Sequence, residues 1–127
     1  MRDARISVLS IPVSDQDRSK RFYAEVFGFQ VIMDSPFGEG MRWVMLRPPG
    51  GGAAITLVTW FAEMRPGSAQ GTVLSVPDIE AAVAEMARRG LAIDAAAVEE
   101  APWGRWVTIA DPDGNSWVVQ EDRPFHS

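Results

Sequence analysis

The chain has 127 residues, 46% of them hydrophobic and 23% charged, with a formal net charge of -5. That length predicts one domain of ordinary soluble composition, and the acidic balance excludes the basic footprint that phosphate backbones require, so nucleic acid is not an expected partner. Cysteine is absent and the single histidine, His126, lies in the tail, which excludes disulfides, thiolate metal sites and thiol nucleophiles.

From Ile6 to Val13 the residues alternate loosely between apolar and small and are rich in Ile and Val, which predicts a buried strand. Ser14 and Asp15 supply N-cap chemistry for a helix running to about Phe27, with Phe22, Tyr23, Val26 and Phe27 on one face, and Gly28 ends it. Three strands are expected next: Phe29 to Asp34, Met41 to Arg47, and Ala54 to Trp60. They are separated by Pro36-Phe37-Gly38-Glu39-Gly40 and by Pro48-Pro49-Gly50-Gly51-Gly52. Residues 61–69 form a linker too short for a flexible tether, so what precedes and follows it must pack together.

The second half repeats this order. A strand from Thr72 to Val76 leads to a helix from Asp78 to Arg89, capped by Gly90, and to a strand from Leu91 to about Val98. A strand from Arg105 to Ala110 follows, then the turn Asp111-Pro112-Asp113-Gly114-Asn115 and a strand from Ser116 to Glu121. Leu9-Ser10-Ile11-Pro12-Val13 corresponds to Leu74-Ser75-Val76-Pro77-Asp78, and Arg42-Trp43-Val44 to Arg105-Trp106-Val107. The repeat length is about 63 residues. The fold expected is α+β: one domain of two βαβββ modules, at about residues 5–60 and 70–121, with curved, mainly antiparallel sheets around a cup-shaped cavity. Apart from the last five or six residues, composition predicts order throughout. No apolar run reaches the ~18 residues of a membrane span, and strand-like sequence follows Met1-Arg2-Asp3-Ala4-Arg5 at once, so a cytoplasmic protein without membrane contact is expected.

The duplicated βαβββ order, Val13-Ser14-Asp15 with Phe22-Tyr23 and Phe27-Gly28-Phe29, and Asp111-Pro112-Asp113-Gly114-Asn115 before the final strand resemble the vicinal-oxygen-chelate superfamily. That group includes glyoxalase I, bleomycin-resistance proteins, fosfomycin-resistance enzymes, methylmalonyl-CoA epimerases and extradiol dioxygenases. The resemblance covers essentially the whole chain and implies the fold, whereas the activity must be argued from the site. Metal-dependent members hold one divalent ion with four side chains on the inner faces of the paired sheets. Counting along the resemblance brings those positions to Val8, Thr56, Gly71 and Val118. Valine and glycine carry no donor and a neutral threonine hydroxyl is a poor one. A register slip could recruit Gln120 or Glu121 without completing a set of four, so neither metal nor other cofactor is expected.

Strand alternation predicts what lines the cup instead. With Val107 and Ile109 beneath a helix, Trp106 and Thr108 face the cup, and the same reading of Trp43-Val44-Met45-Leu46 turns Trp43 and Met45 inward. If Thr56 and Val118 face the cavity, so do Val58, Trp60, Ser116 and Gln120, with Ser10 and Val73 beside them, while Trp117 and Val119 pack under the helix. Trp103, at a strand entrance, is expected as a rim or lid. Any of these tryptophans could serve as core or dimer interface instead. Asp111 and Asp113 read as turn residues, Glu99-Glu100 as a solvated strand end, and Gly50-Gly51-Gly52 lacks the helix N-terminus that a phosphate cradle needs.

The expected function is metal-independent binding of a hydrophobic or aromatic small molecule, such as an antibiotic or secondary metabolite, similar to the bleomycin-resistance members, with no catalytic residues. The alternative within the same resemblance is a divalent-metal-dependent lyase, epimerase or dioxygenase, whose chemistry needs a Lewis acid. A third reading is a metal-free enzyme or a purely structural unit. A homodimer is implied by the resemblance, which leaves open whether the cup forms within one chain or across two.

Overall fold

In the computed structural model, residues 1–122 are described; the expectations placed on the tail, His126 included, lie outside them. Five residues of strand, β1 (Val8–Pro12), precede α1 (Gln16–Glu25), and β2 (Gln30–Pro36), β3 (Arg42–Arg47) and β4 (Ala54–Val58) complete the first module. The second module follows with β5 (Thr72–Val76), α2 (Ile79–Arg88), β6 (Glu99–Ala101), β7 (Gly104–Ala110) and β8 (Ser116–Glu121). Each module forms its own four-stranded sheet, and the orders β1-β4-β3-β2 and β5-β8-β7-β6 are the same pattern used twice. The sheets are mixed: β1 and β5 run parallel to β4 and β8, and the remaining pairings are antiparallel.

Both helices begin by the same device. Asp15 accepts from the Arg18 N–H at 3.0 Å and Asp78 from the Ala81 N–H at 3.1 Å, each satisfying a donor that the first helical turn leaves open, for about 1 kcal/mol. After α1 the chain turns through Gly28 at φ +72°, a left-handed conformation that costs glycine little.

One predicted element is corrected. Residues 91–98 do not form a strand: after Leu91 and Ile93 the chain makes a 3₁₀ turn at Ala95–Ala97, and the short β6 takes the place of the module's second strand. Three consecutive alanines bring little β-propensity, and Asp94 caps the turn by accepting from the Ala96 N–H at 2.9 Å. Glu99 and Glu100, expected at a strand end, are two of the three residues of β6 and stay exposed.

The helix-side faces of the two sheets meet in a shared core. Ile11, Tyr23, Val44, Leu46, Ile55 and Leu57 of the first module enclose Trp117 of β8, while Ile79, Val83, Met86, Val107, Ile109 and Val119 form the second module's part. Phe22, Phe27 and Leu74 touch both groups. Trp117 therefore occupies the core, as its place in the alternation predicts. A buried polar clamp joins the modules where the linker crosses. Tyr23 donates its hydroxyl to Asp111 at 2.6 Å and accepts from the Trp117 indole at 2.9 Å. The Asn115 amide donates to the Pro12 carbonyl at 2.8 Å and accepts from the Ala69 N–H at 3.0 Å.

Candidate functional site

The register of each sheet shows which side chains share the face opposite the helix. In the first module Met33 pairs with Met45, Met45 with Thr56, and Thr56 with Ser10, giving one row across four strands. Along the same face of β3 and β4 lie Trp43, Ala54 and Val58. Thr56 and Val58 are 3% and 1% exposed, so these two predicted lining residues are covered in this chain. Aromatic rings gather beside them. Trp43 meets Trp60 edge-on at 5.4 Å, Phe37 stacks on Trp43 at 4.5 Å, and Phe61 reaches Trp60 at 5.9 Å.

The second module presents a more polar and more open face. Val73, Val118 and Thr108 form one row, and Ser75, Gln120, Trp106 and Glu99 the next. Val73, Ser75, Thr108 and Gln120 are exposed. Trp103, in the turn between β6 and β7, is 75% exposed, and its ring lies 12° from parallel with that of Trp106 at a centroid separation of 6.3 Å. A groove of about 490 Å³ opens here, lined by Trp103, Trp106, Val118, Gln120, Ser75 and the Arg105–Glu121 edge, a size in the range of small-molecule clefts.

Charge at this groove is held by few residues. Arg105 bonds Glu80 at 2.8 Å and lies 3.6 Å from Glu121, and the hydrogen bond to Glu80 holds its guanidinium above the ordinary value. On the first module, Arg42 and Lys20 both bond Asp34 and hold its carboxyl well below the usual carboxylate range, and the bond from Arg42 also lowers that of Asp17. The first module's network ties α1 to β2 and β3, while the Arg105–Glu121 pair, with Asp122, forms the charged edge of the groove.

The ten side chains singled out by alternation thus fall into two groups within one chain. Trp43, Met45, Thr56, Val58 and Trp60 belong to the first module's face, while Trp103, Trp106, Val118 and Gln120 line the second module's groove; Thr108 shares the row of Val118. Among the described residues no ring contact joins the two aromatic groups. Phe37 was missed because Pro36-Phe37-Gly38-Glu39-Gly40 reads as turn punctuation; the signal was a lone aromatic within it. Asp111 and Asn115 do form a turn, but buried between modules, and their partners Tyr23 and Pro12 lie about a hundred residues away in sequence.

The four positions that the resemblance assigns to a metal do not carry a donor set that fits an ion. Val8, Gly71 and Val118 offer no donor, and the Thr56 hydroxyl is already engaged, donating to the Val44 carbonyl at 3.3 Å. Among the described residues no three His, Cys, Asp or Glu side chains gather in a metal-binding cluster.

The model of the glyoxalase/bleomycin resistance protein/dioxygenase superfamily matches residues 5–119, spanning both modules. The chain belongs to this superfamily. Among superfamily members of known structure it is similar to TnmS3, an antibiotic-binding protein from Streptomyces sp. CB03234. The two are 37% identical and superpose with a TM-score of 0.85 over 97% of this chain and 99% of that one. A glyoxalase/bleomycin resistance protein from the same strain is 39% identical, with a TM-score of 0.78 over 91% of this chain and 98% of the other. Protein YetH of Bacillus subtilis (strain 168) is 29% identical over 120 residues, covering 92% of this chain and 98% of the relative. The superfamily fold is therefore shared end to end, and no helix among the described residues is long and apolar enough to cross a membrane.

Proposed function

We propose that this chain binds a planar hydrophobic or aromatic small molecule, such as an antibiotic or secondary metabolite, without a metal ion. The observation that carries the reading is the pair of near-parallel indoles, Trp103 and Trp106, over an open groove that also presents the neutral polar groups of Gln120 and Ser75. Flat, rigid indoles offer a large apolar area at little conformational cost, and an offset stack adds about 0.5–1.5 kcal/mol to what area burial provides. The amide and hydroxyl fix the ligand's orientation. The likeness to an antibiotic-binding protein at 37% identity supports the same class of work.

Donor chemistry supports metal independence: the superfamily's divalent-metal centre draws on imidazole and carboxylate side chains, and the corresponding positions carry valine, glycine and a threonine already hydrogen bonded. A second copy completes the cup in this reading. Val8, Leu9 and Val73 are exposed on the edge strands β1 and β5, and strand edges bearing apolar side chains are surfaces that proteins cover. In this reading two chains join there, with the first module's aromatic group of one set against the groove of the other.

Titration of intrinsic tryptophan fluorescence with 9-aminoacridine and with pyrene-1-sulfonate, two flat probes of opposite charge, tests the reading. Saturable one-site quenching by at least one probe, weakened in Trp106→Ala, is expected. Failure of both to bind, or affinity unchanged in Trp106→Ala and Trp43→Ala alike, contradicts it.

A further inference from the structure

The ring face of Trp43 is already covered from within the chain. Phe37 stacks on it with centroids 4.5 Å apart and planes 21° from parallel, and meets Trp60 edge-on at 5.1 Å. This is the arrangement that a flat ligand on Trp43 would itself adopt. The second module differs: its two indoles are near parallel but their centroids are 6.3 Å apart.

The segment that carries Phe37 has an exposed tip with glycine on both sides. It is the turn between β2 and β3, closed by a hydrogen bond from the Phe37 N–H to the Met41 carbonyl at 3.0 Å. Gly38 and Gly40 on either side of Glu39 have φ of +63° and +71°, and a side-chain carbon added at either would meet no atom within 4 Å. Residues 38–40 are exposed. The ends of the turn are held by the pairing of Pro36 with Arg42 and by the bonds of Arg42 to Asp34 and Asp17, whereas across the exposed tip glycine lets the backbone reach other conformations at low cost.

We propose that Phe37 is a built-in occupant of the Trp43 ring face, a hinged plug that the ligand displaces on binding. This rests on the reading of Trp43 as a ligand platform. It also narrows the ligand class. A side chain tethered by a short turn competes at an effective concentration in the millimolar range, so a free single ring at lower concentration gains nothing that Phe37 does not already supply. A fused system of two or three rings covers more of the indole than a phenyl ring can, and wins. The plug therefore selects fused polycyclic ligands over monocyclic ones.

The test is a double-mutant cycle with 9-aminoacridine as the probe, each variant first checked for a cooperative thermal transition. Phe37→Ala is expected to tighten binding by about two- to tenfold, the range that a lost competing stack implies, and the gain is expected to vanish in the Trp43→Ala background. Phe37→Leu, which keeps apolar bulk but not the flat ring, should fall between and covers the case in which Phe37→Ala misfolds. Weaker or unchanged binding in Phe37→Ala, or a gain that survives Trp43→Ala, overturns the proposal. A readout without ligand separates this proposal from the broader one. Relaxation dispersion at the Trp43 indole N–H should report microsecond-to-millisecond exchange in the wild-type chain that Phe37→Ala abolishes. If the probe binds neither chain, Trp43 is no platform for it, yet this exchange still supports a hinged Phe37; a static stack refutes it.

Discussion

The hydroxyl of Tyr23 lies 2.6 Å from a carboxylate oxygen of Asp111, and through this contact the first helix of one module grips the last turn of the other. Asp111 is saturated: its other oxygen accepts from the Asp113 and Asn115 N–H groups, and the oxygen that takes Tyr23 also takes the Asn115 amide. Tyr23 in turn accepts from Trp117, so each buried polar atom in the clamp has a partner. Tyr23→Phe leaves the Trp117 indole N–H unpartnered and takes one of four donors from Asp111. A loss of about 1–3 kcal/mol in unfolding free energy is expected, measured by urea denaturation, with secondary structure retained.

The same hydroxyl predicts an alkaline limit. Burial, reinforced by the hydrogen bond to Asp111, pushes the Tyr23 phenol well above its ordinary value near 10. A pKa raised on folding means that the unfolded chain gives up this proton first. The stabilisation is therefore fully present below about pH 10 and is lost as pH rises beyond it. Tyr23 is the only tyrosine in the chain, so tyrosinate absorbance reports this residue alone. Ionisation is expected only together with unfolding. A reversible titration near pH 10 in the folded protein would show that the clamp is open to water.

Gly67 is where the linker passes against the backbone of Asp113. A side-chain carbon at this position would stand 2.2 Å from the Asp113 carbonyl oxygen, and the backbone is at φ +83°. Gly67→Ala combines a backbone clash with a left-handed conformation and is expected to cost about 2 kcal/mol or more. Gly50→Ala, where no atom lies within 4 Å and φ is not positive, should stay within about 0.5 kcal/mol of wild type. Paired denaturant melts of the two variants measure the difference.

Val73 is 51% exposed on edge strand β5, which makes it a sensitive probe of pairing between copies. Sedimentation velocity is expected to show a dimer for the wild-type chain and a shift toward monomer for Val73→Glu, because a carboxylate in a closed interface must be desolvated. A wild-type monomer would remove the shared cup from the account.

How far the sequence alone reached depended on whether a residue's neighbours were local. Two-residue alternation put Trp117 in the core and Trp106 on the opposite face, because each strand has one face under a helix and the repeat supplied two copies of the pattern. The strand expected at residues 91–98 failed where three alanines and a capping Asp94 favour a turn. Asp111 is the turn residue its sequence announces, bonded to Asp113 and Asn115, but no local pattern announces its further bond to Tyr23 of the other module. Phe37 was hidden for the same reason: nothing in a Pro-Phe-Gly turn says that its ring will settle on Trp43, next to Trp60.

Metal-free recognition of a flat aromatic molecule at the Trp106 groove is open to direct measurement. Calorimetric titration of chelator-treated, demonstrably metal-free protein with 9-aminoacridine tests it most directly. Saturable binding with one ligand per site, indifferent to added divalent ions and weakened by about two- to tenfold in Trp106→Ala, is the predicted result. Binding that appears only when a divalent metal is restored would contradict the account.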